Sequence, residues 1–224
     1  MKSNSELQKD VQDAIQWEPL LNAAEIGVTV KNGVVSLTGV VDSYTKKTEA
    51  EEAAKKVAGV KAVVEKLEVK LSSVDGEKDD SDIAAEVLRA FKWSWRVPNN
   101  KLKVKVENGW VTLEGELQFN YEREAAMDAV KNLMGVTGVS NNIKIKSTAH
   151  DAIEKMDIES ALRRNWSIND DDITVSVSGT NVTLKGTVSS WYQKNEAEKI
   201  AWNAPGVWAV YNELLVEYDY ALMD

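Results

Sequence analysis

The 224-residue chain has no cysteine and a single histidine, His150. The missing thiols exclude disulfides, thiolate metal sites and a cysteine nucleophile. One histidine without cysteine leaves no ligand set for most transition-metal sites, so no metal is expected. His150 lies at an expected domain join and has no nucleophile-elbow motif beside it to make a serine–histidine–acid triad. Phosphate-binding glycine loops are absent. With the usual parts of catalysis missing, the expectation is a non-enzymatic protein with no cofactor. No stretch approaches the roughly 18 consecutive apolar residues of a membrane-spanning helix. The opening "MKSNSELQKDVQDAIQW" holds no apolar run of signal-peptide length, so the chain as written reads as cytoplasmic. Its net charge of −9 suits nucleic acid poorly, because phosphate neutralisation supplies most of that affinity.

The charge is unevenly spread. Residues 1–72 carry 10 basic and 11 acidic side chains, and residues 73–82, "SVDGEKDDSD", carry one and five. Residues 83–148 carry 10 and 7, and residues 149–224 carry 6 and 13. A mildly basic middle section therefore lies between acidic neighbours.

What the chain does have is repetition. "NGVVSLTGVV" at 32 returns as "NGWVTLEGEL" at 108 and, more loosely, as "GTNVTLKGTV" at 179. Gly39, Gly115 and Gly186 mark the motif, and Gly59, Gly135 and Gly206 mark a later one with the same two spacings, 76 and 71 residues. Two anchors sharing both offsets establish a tandem repeat. The expected units are 1–72, 83–148 and 149–224, with residues 73–82 as an acidic linker.

Each unit reads as helix, strand, strand, helix, strand. Apolar residues at i, i+4 and i+8 mark the first helix: Leu7, Val11, Ile15; Ile83, Val87, Phe91; Ile158, Leu162, Trp166. Ser3 and Glu6 form a capping-box pattern. Two alternating strands follow, joined at Asn32-Gly33 and Asn108-Gly109, the residues a two-residue hairpin turn requires; "SGTN" at 178–181 serves the third copy. The second helix has candidate N-caps at Asp42-Ser43, Asn120 and Ser189-Ser190. Gly59, Gly135 and Gly206 fall where a left-handed helix C-cap belongs. Gly39, Gly115 and Gly186 read as points where a strand passes close to a helix. The expected fold is α+β: three tandem small αββαβ domains, each a three-stranded mixed sheet with two helices on one face. Units of this size bury a modest fraction of their surface, so the copies are expected to pack on one another.

The "V-x-L-x-G-x-V" strand, the alanine-bearing second helix and the closing "GVTGVSNNIKI" and "GVWAVYNELLV" resemble the bacterial OsmY and nodulation (BON) domain. Copy one departs with Glu65 where the others have Asn141 and Asn212, and copy three with Asn181 in the hairpin where a glycine is expected. The resemblance covers nearly the whole chain and implies small αββαβ domains found in osmotic-stress and envelope proteins. It also implies binding to phospholipid or membrane surfaces, and a periplasmic location as the alternative to the cytoplasm. A rival reading is an intracellular module that binds a protein partner or a small ligand such as a monovalent cation.

Several residues admit two readings. Trp17, Trp93, Trp95 and Trp166, at or after the first helix of each copy, are expected in core or inter-domain packing. Trp110 follows a hairpin turn and is expected to be exposed. Tyr44, Phe119 with Tyr121, and Trp191 with Tyr192 mark the start of helix two, as a staple onto the sheet or as an interfacial patch. Lys101, Lys103 and Lys105 in "KLKVKV" read as one face of an edge strand and as candidates for lipid phosphate. "NDDDI" at 169–173 reads as a solvated turn rather than a cation loop.

Overall fold

The computed structural model describes residues 2–70, 78–146, 155–168 and 172–217. Each repeat holds the expected αββαβ order. Repeat 1 comprises α1 (Asn4–Gln16), β1 (Ile26–Lys31), β2 (Val34–Val41), α2 (Tyr44–Lys55) and β3 (Ala62–Val69). Repeat 2 comprises α3 (Asp80–Trp93), β4 (Leu102–Glu107), β5 (Trp110–Leu117), α4 (Asn120–Lys131) and β6 (Gly138–Ile145). Repeat 3 comprises α5 (Lys155–Arg163), β7 (Ile173–Ser178), β8 (Asn181–Val188), α6 (Trp191–Trp202) and β9 (Ala209–Val216).

Every sheet has three strands, with the second of the repeat in the centre. In repeats 2 and 3 the central strand pairs antiparallel with the first and parallel with the third, so the sheets are mixed. In repeat 3 one core collects Ile158 and Leu162 of α5, Ala197 and Ala201 of α6, and Val175, Val182, Leu184 and Leu214 of the sheet. Both helices therefore cover one sheet face, and the alanines let α6 lie close to it. The third helix stripe, however, ends one turn earlier than its spacing suggested. Leu162, not Trp166, occupies the place of Ile15 and Phe91, because α5 stops at Arg163.

Local chemistry accounts for the ends of elements. Ser3 caps α1 in a full capping box: its Oγ accepts from the Glu6 amide at 3.2 Å, and Glu6 Oε2 accepts from the Ser3 amide at 2.7 Å. Asp79 caps α3 by accepting from the Asp82 amide at 2.8 Å, so the acidic run at 79–82 is the start of a helix rather than linker. Carboxylates suit that position because they face the positive end of the helix dipole. Asn120 is the first residue inside α4 and is buried, so it is not the N-cap. The amides of Gln118 and Phe119 donate instead to Glu122 Oε2, at 3.0 and 3.1 Å.

The hairpin tips are clasped from the helix start. Asp80 accepts from the amides of Asn108 (2.9 Å) and Gly109 (2.8 Å), and Asn4 Oδ1 accepts from the Asn32 amide (2.9 Å). Asn32 and Asn108 have φ of 53° and 51°, as a two-residue turn of this hand demands. In repeat 3 the turn is Gly179-Thr180. Asn181 opens β8 opposite Ser178, so it is Thr180 that stands at the glycine position.

Two glycine assignments change. Gly39, Gly115 and Gly186 do adopt positive φ, but a Cβ there would overlap the carbonyl oxygens of Glu25, Lys101 and Asp172, at the entrance to the first strand. The close neighbour is that backbone, not a packed helix. Gly59, Gly135 and Gly206 also have positive φ, but they lie in the turn four residues beyond the helix end rather than at its C-cap. There the turn presses on the first helix: a Cβ on Gly59 would sit 3.1 Å from Leu7 Cδ1, and one on Gly135 2.8 Å from Ile83 Cδ1.

The asparagines of the closing motif tie strand to helix. Asn141 Nδ2 donates to the Arg123 carbonyl of α4 at 3.2 Å, while its Oδ1 accepts from the Ile143 amide at 3.3 Å. Asn212 Nδ2 donates to the Lys194 carbonyl (2.9 Å) and Glu198 Oε2 (3.0 Å), and its Oδ1 accepts from the Leu214 amide at 3.4 Å. Glu65 accepts from the Leu67 amide in the same way, but a carboxylate has no N–H for the helix carbonyl. Asn212→Ala should cost about 1–3 kcal/mol, because a half-buried carbonyl and carboxylate lose their donor. Chemical denaturation followed by circular dichroism would measure it.

The chain divides into two compact units, one of residues 1–39, 49–67 and 149–224 and the other of residues 40–48 and 68–148. Within the first, Trp191 Nε1 donates to the Lys61 carbonyl at 3.0 Å, joining repeats 3 and 1. Within the second, the Thr45 hydroxyl donates toward Asn132 Oδ1 at 2.7 Å, joining repeats 1 and 2. Each of these hydrogen bonds links a side chain of one copy to a neighbouring copy within the same unit.

Candidate functional site

Among the described residues, the most exposed large hydrophobic side chains are the four tryptophans expected to be buried. Trp17, Trp93, Trp95 and Trp166 are 85, 84, 89 and 95% exposed. Packing explains the reversal. Ile15, Phe91 and Leu162 already close the core at the end of the first helix, each at 1% exposure. The chain then leaves the helix in a turn, and Val97 and Ile168 dive back into the core just after it. The Val97 amide donates to the Ser94 carbonyl at 3.2 Å and the Ile168 amide to the Asn165 carbonyl at 3.1 Å. In repeat 3, Asn165 Oδ1 also accepts from the Ser167 amide and hydroxyl, at 3.0 and 2.7 Å. In repeats 2 and 3 the turn is thus pinned on both sides while its indoles stay exposed. The sequence pattern alone does not single these residues out as contacts. The available signal was their position, immediately after the last buried residue of each first helix.

The aromatic residues at the start of the second helix are partly covered. Phe119 and Tyr121 stack at 5.5 Å between centroids and are 43 and 41% exposed. Tyr44 and Trp191 are half-buried, and Tyr192 is exposed. The Trp191 ring also has Lys194 Nζ at 5.3 Å from its centroid. Trp110 is exposed on one side as expected. Its other side lies over Gly138, where a Cβ would overlap the ring, and its Nε1 donates to Ser140 Oγ at 2.9 Å. Lys103 and Lys105 do alternate with buried-side residues on the edge strand β4, and Lys105 pairs with Glu107 at 2.9 Å. Lys101 is not on the strand but in the one-turn 3-10 helix before it, Asn99–Lys101.

The hairpin tips, first-helix starts and glycine turns enclose similar clefts in repeats 1 and 2, of about 380 and 500 Å³. Leu7, Asn32 and Gly59 line the first, and Ile83, Asn108 and Gly135 line the second. Among the described residues no group of three or more histidine, cysteine or acidic side chains could hold a metal ion. His150 and most of the acidic run at 169–173 lie outside the described residues. The displaced pKa values belong to caps and helix pairs. The Ser3 amide and hydroxyl hold Glu6 below the usual carboxylate range, and Lys46, 2.6 Å away, does the same for Asp42. No helix among the described residues is long and apolar enough to cross a membrane.

Comparison with known proteins agrees with the repeat architecture. The family model of the BON domain matches residues 3–70, 79–147 and 150–218. The chain belongs to the BON domain family. A curated relative, the osmotically-inducible protein Y of Escherichia coli (strain K12), is 30% identical over 158 residues, which cover 67% of this chain and 79% of the relative. Two solved structures of CdsD, a structural protein of the type III secretion system of Chlamydia trachomatis, are each 15% identical with a TM-score of 0.26. They cover 95 and 96% of this chain, and 93 and 100% of their own. The BON match spans the three exposed turns, so each domain carries its own copy of that surface. Buried apolar cores are common to the three BON domains, and a hairpin clasp is seen in repeats 1 and 2, whereas the turn residues differ.

Proposed function

We propose that the chain is a non-enzymatic, stress-associated protein that binds phospholipid membrane surfaces through its repeated BON domains. The observation that carries this reading is the exposure of Trp17, Trp93, Trp95 and Trp166, 84 to 95%, at one or both of two positions just after the last buried residue of the first helix in each domain. An indole left in water at such exposure is out of place on a folded surface, and the headgroup region of a bilayer is where its flat amphipathic ring is best accommodated. A helix end pinned by the core presents it without further ordering. Three weak contacts on one chain raise the overall affinity far above that of one. The osmotically inducible relative supports the association with stress. The missing cysteine and the lone histidine support a role without catalysis.

Flotation of the protein with vesicles, following tryptophan emission in the same samples, tests the reading. Co-flotation with a blue shift of the emission is the expected result. Free protein under neutral and anionic vesicles, at low and at high salt, would overturn it.

A further inference from the structure

We infer that the three repeats are unequal in this contact, and that the turn after α3 in repeat 2 selects anionic phospholipid headgroups. The inference rests on the membrane-surface reading above. The turn of repeat 2 and its flanks are residues 92–101, and at the two repeat offsets the matching sequence segments are 16–25 and 163–172. "QWEPLLNAAE" holds no basic and two acidic residues, "KWSWRVPNNK" three and none, and "RRNWSINDDD" two and three. The local charges are therefore −2, +3 and −1, and only repeat 2 is attractive to an anionic surface. It also carries indoles at both turn positions. Trp17 matches Trp93, with Pro19 where Trp95 stands, and Trp166 matches Trp95, with Arg164 where Trp93 stands.

Lys92, Arg96 and Lys101 are all exposed, around Trp93 and Trp95. Indoles at headgroup depth with lysine and arginine reaching phosphate are the recognised chemistry of an anionic bilayer interface. The turn is held in place by Phe91 before it and Val97 after it, by the Ser94 amide donating to the Ala90 carbonyl at 3.1 Å, and by the Lys101 amide donating to the Pro98 carbonyl at 3.1 Å. Little ordering is then needed on contact. For a chain of net charge −9, attraction to anionic lipid has to be local, within a Debye length of roughly 8–10 Å. Lys103, exposed on β4, extends the basic run, whereas Lys105 is engaged by Glu107.

The test uses the full chain and vesicles of phosphatidylcholine with and without phosphatidylglycerol. The wild type should prefer the anionic vesicles. Each basic side chain removed should weaken anionic binding about fivefold. A triple variant, Lys92→Gln with Arg96→Gln and Lys101→Gln, should thus lose on the order of 100-fold on anionic vesicles and little on neutral ones. Trp93→Ala with Trp95→Ala should weaken binding to both, while Trp17→Ala should leave the anionic preference in place. Thermal melts of the variants should match the wild type, since the substituted side chains are exposed. A wild type without anionic preference, a triple variant that keeps it, or a Trp17→Ala variant that loses it would overturn the inference and leave the membrane reading standing. Failure of the wild type to bind either vesicle would overturn both.

Discussion

Gly186→Ala should destabilise repeat 3 by about 4 kcal/mol or more, the range reserved for substitutions with a specific structural fault. Two faults coincide. The φ of 122° lies in a region that is essentially glycine's alone, and residues forced there carry on the order of 1–3 kcal/mol of strain. The added Cβ would also overlap the Asp172 carbonyl oxygen. That atom is backbone, so no rotamer change can relieve the overlap. It also accepts from the Thr187 amide at 3.2 Å, a hydrogen bond that would be lost if the strand shifted. Gly179→Ala supplies the control. Its φ is 60°, but a Cβ there meets nothing within 4 Å, so it should cost only the left-handed term of roughly 1–2 kcal/mol. Urea denaturation of the two variants, followed by circular dichroism, would compare them. Equal costs would show that the backbone relaxes around Gly186 and that the close approach is not a constraint.

Phe91→Ala should cost about 3–5 kcal/mol, as expected for deleting a large, fully buried aromatic side chain. Phe91 is 1% exposed and heads the largest fully buried side chains among the described residues. It is also the last core residue before Trp93, so its loss should free the turn as well as open a cavity. The conservative Phe91→Leu keeps most of the volume and should cost less, near the ~1.5 kcal/mol limit of volume-conserving exchanges. Two readouts separate stability from presentation: the denaturation midpoint, and affinity for anionic vesicles at a temperature where both variants stay folded. A folded Phe91→Ala protein that binds like wild type would show that the turn needs no anchor from the core.

Much of the fold was legible because it follows from local chemistry. The hairpins were readable from Asn32-Gly33 and Asn108-Gly109, whose positive φ angles no bulkier pair adopts easily. The capping box was readable from Ser3 and Glu6, three residues apart. The second helix was readable from alanines at helical spacing. The errors have a common source. Trp166 was placed in the core because it continues the i, i+4 spacing, and Asn120 was placed at an N-cap because its side chain suits one. In both cases spacing or propensity is compatible with several helix ends, and the actual end depends on which residue the core accepts. Asp79 and Asp80 were read as linker for a related reason: an acidic run looks the same whether it is solvated or caps a helix and clasps a hairpin turn.

By itself the sequence determined that this protein is a threefold repeat of one αββαβ unit, because periodicity and paired spacings survive without knowledge of contacts. It also determined the distribution of charge, including the basic stretch of repeat 2. Only the tertiary structure decided that Trp17, Trp93, Trp95 and Trp166 face water. Burial depends on whether the space beneath a side chain is already filled, and here Ile15, Phe91 and Leu162 fill it. The chemistry of the turn could be read from the chain, but its availability to a partner is a property of the packed core below it.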